Sequence, residues 1–234
     1  MTLPSGRRRL DVGRLIMVPA LAVILLADVV DLDHGGHSGT AGVLRSAGAV
    51  LVIAYYALVI WCYLRRRPAV ATSRSLTAHG AAIAATWLPF VFPLLHGAPS
   101  APGRQALADV LLTCGMVWAL WSLRYLDRNV SVLAQARDVV VRGPYRWMRH
   151  PLYVGELVSS LGLAIATNSY LALGLWVALC GLQTYRAIRE EQVLLQACPA
   201  YRSYQGRTAA LLPGVSLRRV PGVTYRQRST PHSG

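Results

Sequence analysis

From Leu157 to Tyr185 the chain runs for 29 residues without one charged side chain. As a single helix at 1.5 Å per residue, that stretch would reach roughly 44 Å, too long for one bilayer crossing and short for two complete ones. Asn168-Ser169 falls near its middle and is a turn signal. The economical solution is a helical hairpin whose polar ends emerge on the same side. Its first arm begins at Pro151, and its second ends near Glu191.

Four further apolar blocks precede it, at about Leu15 to Val30, Val43 to Leu64, Ala78 to Leu95 and Gln105 to Tyr125. Pro89 and Pro93 are expected to kink the third. Only 15% of the chain is charged, against about 25% in an average soluble domain. These features predict an all-α, polytopic membrane helix bundle of about six transmembrane helices, the last two a hairpin. All 24 basic residues are arginine. With the N-terminus in the cytoplasm, 22 of the 24 fall on the cytoplasmic side and only Arg45 and Arg104 fall outside. Both termini are therefore expected in the cytoplasm, and the protein in a bacterial inner membrane. A net charge of +14 can signal nucleic acid, but here the arginines lie between and after apolar blocks. No nucleic-acid partner is expected. Cys62, Cys114, Cys180 and Cys198 form no CxxC pair, so neither a disulfide framework nor a zinc site is indicated. No cleavable signal peptide is evident before Asp31 and Asp33. The chain divides into N-terminal membrane helices (1–125), a catalytic region (126–213) and a basic tail (214–234).

Two polar clusters interrupt this apolar background. The first is Arg142-Gly143-Pro144-Tyr145-Arg146-Trp147-Met148-Arg149-His150-Pro151-Leu152-Tyr153-Val154-Gly155-Glu156. Gly143-Pro144 reads as a turn, and Pro151 suits the first position of a helix, where its missing N–H is no loss. Tyr153 and Glu156 then share a helix face. The second cluster is Arg186, Arg189, Glu190 and Glu191, with Arg186 and Glu190 four apart on one face. An amphipathic segment with Leu194, Leu195, Tyr201 and Tyr204 follows. The hairpin returns the second cluster toward His150, at a common cytoplasmic pocket. Guanidinium for a carboxylate, glutamate for ammonium or ribose hydroxyls, and aromatic faces for adenine or a cation suit S-adenosylmethionine. No GxGxxG loop follows a strand.

Gly143-Pro144-Tyr145, Arg149-His150-Pro151-Leu152-Tyr153-Val154-Gly155, then Arg186, Glu190-Glu191, Tyr201 and Tyr204 resemble the isoprenylcysteine carboxyl methyltransferase and phospholipid methyltransferase superfamily. The likeness covers roughly Asn129 to Pro213. It implies a cytoplasmic pocket for S-adenosylmethionine and a membrane-facing tunnel for a lipophilic small molecule or lipid. By position, Tyr145, His150, Pro151, Leu152 and Tyr153 line the cofactor, Glu190 binds it from the second arm, and Glu191 lies nearby. Arg186 faces the acceptor or the reacting centre, so Arg186 and Glu190 are the expected catalytic pair. Where some members carry a histidine six residues before the turn glycine, this chain has Arg137.

Plainer roles compete for several of these residues. His150 alone reads as a helix cap, Arg146 and Arg149 as positive-inside anchors, and Trp147 as an interfacial aromatic. Glu156 divides evenly between a site and a structural ion pair. Asp28 and Asp109 are expected at the interface. Tyr55, Tyr56, Trp118 and Trp121 are expected in packing or the aromatic belt. His34-Gly35-Gly36-His37, with Asp31 and Asp33, is a weak metal motif on the outer side. No metal is expected. Two other functions stay open. A sterol-reductase-type enzyme would use NADPH, with the arginine-rich connector on its 2′-phosphate. A transporter or scaffold would show paired repeats or midplane charges, and neither is seen.

Overall fold

The computed structural model describes residues 12–34, 39–65, 71–72, 75–95, 100–126, 135–136, 139–198 and 201–211. Its α-helices are α1 Val12–His34, α2 Gly39–Arg65, α3 Leu76–Trp87, α4 Pro102–Leu126, α5 Pro151–Ala166, α6 Tyr170–Ala197 and α7 Tyr201–Arg207. The apolar helices α1 to α6 fall where the six crossings are expected. This is an all-helical membrane bundle. By length and composition, Gly42–Arg65, Leu76–Leu94, Pro102–Leu126 and Tyr170–Ala197 are able to cross a bilayer, while Met17–Val30 and Pro151–Ala166 are shorter. Apolar side chains such as Val23, Leu26, Val117 and Val177 face outward, where lipid would meet them.

Local chemistry accounts for the breaks. The Ser75 hydroxyl caps α3 by accepting from the Ala78 amide at 3.3 Å. At Leu88 the helix tightens to 3-10 geometry through Leu94, with Pro89 near its start and Pro93 inside. This is how the chain realises the expected kink. The hairpin turns at Asn168, whose φ of 51° lies in the left-handed region that asparagine tolerates. The turn is tied down by neighbours from the α3–α4 side: Arg104 donates to the Asn168 side chain, and Ser100 Oγ donates to the Ala166 carbonyl at 2.9 Å. At the opposite end, the two-residue strands β1 Ala71–Thr72 and β2 Gln135–Ala136 pair antiparallel. That pairing brings the α2–α3 loop beside the connector.

Helices α4 and α5 meet along a face of small residues. A Cβ added at Gly115 would lie 2.3 Å from the Ser159 amide nitrogen. One at Gly162 would lie 2.5 Å from the Ala108 oxygen, and one at Gly155 would lie 2.7 Å from the Ala119 nitrogen. Small residues at such spacing let backbones approach closely in a membrane. Gly155 of the sequence motif therefore packs α5 on α4. The Trp118 indole N–H adds a bond to the Pro151 carbonyl at 2.9 Å, fixing where α5 starts. The α1–α2–α4 core holds Met17, Leu21, Tyr63, Met116 and Leu123; Phe92, Ala164 and Leu179 form a second core under the hairpin.

Candidate active site

The hairpin brings the start of α5 and the last turns of α6 to one end of the bundle, and α7 folds across them. Gly143, at φ +58°, begins the turn into this site, and any Cβ there would sit 2.7 Å from the Tyr125 ring. Tyr145 is buried behind it. Its carbonyl accepts from the Tyr204 hydroxyl of α7 at 2.5 Å. Burial pushes the Tyr204 phenol up to about 12, and raises Tyr201 and Tyr145 above the usual phenol range, so all three remain neutral donors.

His150 occupies the N-cap position of α5, but its side chain makes no cap hydrogen bond and is engaged elsewhere. Its Nε2 lies 3.0 Å from Glu191 Oε1 and donates to that acceptor-only carboxylate. Arg149 Nε donates to the same oxygen at 2.7 Å, and Arg149 Nη2 to Oε2 at 3.3 Å. Gln205 Nε2 donates to Oε2 at 3.0 Å. Arg149 also reaches the carbonyls of Gln205, at 2.9 Å, and Thr208. The backbone follows: the amides of Arg149 and His150 donate to Ala209 and Ala210 carbonyls. Both side chains of the Arg149–Glu191 pair are at most 6% exposed. Arg149 is thus a buried partner that fastens the α7 region to α6, not a surface anchor. The sequence placed Arg149 in the motif without giving it this role, and did not single out Gln205.

One residue earlier on α6 the surroundings differ. Tyr153 donates to Glu190 Oε1 at 2.5 Å, and Arg186 Nε donates to the same oxygen at 3.3 Å. The Arg186 guanidinium lies 4.7 Å from the Tyr153 ring centre. That ring stacks on His150 at 5.4 Å, with 10° between the planes. His150, Tyr153, Arg186, Glu190 and Glu191 therefore form one connected group. Arg189 turns away, over Tyr185.

Arg186 also lines a cavity of about 310 Å³, among residues of α1, α2, the 3-10 stretch, α4, α5 and α6. This is a usual size for a small-molecule site. Most of its wall is apolar, and Leu152 is part of it. Its polar members include Glu156, Gln183, Ser159, Ser160 and Asp28. Glu156 Oε1 accepts from Tyr55 at 2.5 Å, and Oε2 from Gln183 at 2.9 Å. Tyr55, Tyr56 and Asp28 thus face the cavity, where packing, belt or interfacial roles were expected. Their apolar surroundings in the sequence carry no sign of it. Trp118, Trp121 and the half-exposed Trp147 form an aromatic cluster outside it. Arg137 and the His34–His37 motif lie outside the residues whose side chains are described.

Of the residues expected at the site, His150, Pro151, Leu152, Tyr153, Arg186, Glu190 and Glu191 share this end of the α5–α6 pair, with Tyr145 joined to them through Tyr204. A family profile described as phospholipid methyltransferase matches residues 104–198. The cobalt-zinc-cadmium resistance protein CzcN of Cupriavidus metallidurans is 33% identical over 153 residues, covering 62% of this chain and 68% of that protein. The nickel-cobalt-cadmium resistance protein NccN of Alcaligenes xylosoxydans is 34% identical over 122 residues, 48% of this chain and 54% of its own length. Among solved structures, the eukaryotic intramembrane Ras methyltransferase isoprenylcysteine carboxyl methyltransferase matches 89% of this chain and 88% of its own, at 18% identity and a TM-score of 0.43.

Proposed function

The chain belongs to the phospholipid methyltransferase family, and from that premise we propose that it moves a methyl group from S-adenosylmethionine to a lipophilic acceptor. The cofactor supplies an electrophilic methyl on a sulfonium. The reading rests above all on Arg186, which belongs both to the cavity wall and to the Tyr153–Glu190 group. A donor held by the polar group and an acceptor held in the cavity would meet at that side chain. In-line alignment of two reactants can supply roughly 7–11 kcal/mol of the barrier.

The residues at hand fit such a donor. Glu190 offers an oxygen to ammonium or ribose hydroxyls, and the stacked His150 and Tyr153 rings offer a flat face. Tyr145, Pro151 and Leu152 would line the donor. Glu191 has both oxygens engaged by Arg149, His150 and Gln205, so it acts by holding the His150 ring in place. Arg186 orients the acceptor's reacting atom. The arginine distribution supports an orientation with this end at the cytoplasmic face, which we assign to a bacterial inner membrane.

Membranes containing the protein, supplied with methyl-labelled S-adenosylmethionine, should yield a labelled lipid-soluble product. Arg186→Ala should abolish it. Label that appears equally in membranes lacking the protein would refute the proposal.

A further inference from the structure

We infer that the acceptor carries a neutral X–H head, a phenol, alcohol or thiol, and that Glu156 takes its proton; this rests on the methyl-transfer reading above. Glu156 stands in the cavity wall with Arg186, so it sits where an acceptor's polar end must lie. Each of its oxygens accepts one bond from the protein, from Tyr55 or from Gln183, which fixes the carboxylate and leaves lone pairs for a substrate. Neither partner is cationic. Among the described residues its hydrogen-bond donors are the neutral Tyr55 and Gln183, whereas Glu191 accepts from Arg149 and His150, which makes Glu156 the carboxylate placed to accept a proton in the cavity.

Charge balance separates the possible heads. The donor's ammonium and carboxylate cancel, and its sulfonium leaves one positive charge. With Arg186 that makes two positive charges, against two negative charges on Glu156 and Glu190. A neutral X–H head keeps the sum of these four charges at zero before and after the reaction. As the X–C bond forms, the methyl–sulfur bond breaks and its electron pair stays on sulfur. The proton from X–H passes to Glu156, so the lost sulfonium charge is matched by a lost carboxylate charge. A carboxylate head would instead add an unbalanced anion to an apolar cavity, which is costly. Any charge on Asp28, in the same wall, raises that cost.

The test uses the purified full chain in lipid nanodiscs with three probes of equal chain length: para-dodecylphenol, dodecane-1-thiol and dodecanoate. The phenol or the thiol should be methylated at least about tenfold faster than dodecanoate. Glu156→Gln should lower kcat about 10²–10⁴-fold, the usual contribution of a general base. Donor Kd and phenol KM should stay within about threefold, while dodecanoate binding tightens as the carboxylate charge is removed. Glu156→Asp guards against a folding defect, and kcat should fall in the order Glu, Asp, Gln. Faster turnover of dodecanoate, any other order among the variants, or donor binding with no transfer to phenol or thiol overturns the inference while leaving the methyltransferase reading intact. Absence of donor binding by the wild type removes both.

Discussion

Glu190 and Glu191 are neighbours in the chain, yet they belong to two different regions. Glu191 points into a buried lock in which Arg149, His150 and Gln205 occupy both of its oxygens. Glu190 points along the other face of α6, toward Tyr153 and Arg186, and through Arg186 to the cavity. In one region both carboxylate oxygens are engaged by the protein itself. The other combines a carboxylate, a cation and a stacked aromatic pair beside open volume. A polar cluster at a helix end is thus read by what its partners leave free. Saturated groups hold the frame, and groups adjoining a cavity are available for chemistry.

Breaking the lock should have the largest effect. Arg149→Ala strands the buried Glu191 carboxylate, and removing one partner of such a pair costs about 3–5 kcal/mol. Thermal unfolding in detergent should show a large drop in Tm, accompanied by loss of donor binding as the α7 region detaches. A wild-type Tm would mean that the lock is not structural.

Next comes the α4–α5 face on which both regions are mounted. Gly115→Ala places a methyl against the Ser159 backbone, and overpacking of this kind costs about 1–3 kcal/mol. Denaturant unfolding should register it, while Gly174→Ala on α6, which has open space around its added Cβ, should be near neutral.

On the cavity side, Tyr55→Phe removes one bond to Glu156, worth about 1.5–3 kcal/mol net for a charged acceptor. Its signature should be a fall in kcat rather than in donor affinity. A variant that changes donor Kd but not kcat would move Tyr55 out of the cavity's chemistry.

The smallest effect sharpens the lock's boundary by pH. The Tyr204 phenol has its folded value raised to about 12 by burial, against about 10 when unfolded. The folded state then holds more protons between these values. Its stability is full below about pH 10 and falls as pH rises toward 12. Tyr204→Phe should lose less stability across that interval than the wild type, measured by Tm against pH.

Much of this was legible in the residues. The uncharged run with Asn168 at its middle predicts the hairpin, because no single helix of that length suits a bilayer. The hairpin in turn brings the His150 and Glu190 ends together. Pro151 as the first helical residue and the amphipathic Tyr201 segment follow from local rules of the same kind. The partition of the two glutamates was not legible, since adjacent residues on a helix face about 100° apart and the choice of face depends on α7. The motif held Arg149 beside His150, but its pairing with Glu191 was not legible, because positive-inside residues and buried ion-pair partners share one residue type. Tyr55 and Asp28 lie in apolar blocks without a motif, so only packing of α1 and α2 on α5 reveals that they face the cavity.

The most direct measurement is equilibrium binding of labelled S-adenosylmethionine to the purified chain in lipid nanodiscs, for wild type and Glu190→Ala, with Tm recorded on the same samples. Saturable binding by the wild type is expected, with at least about tenfold weaker binding by the variant, consistent with loss of a bond to a charged group, and a smaller drop in Tm than Arg149→Ala gives, because Glu190 is more exposed than Glu191. Wild-type protein that takes up no ligand, or a variant that binds as tightly as the wild type, would contradict it.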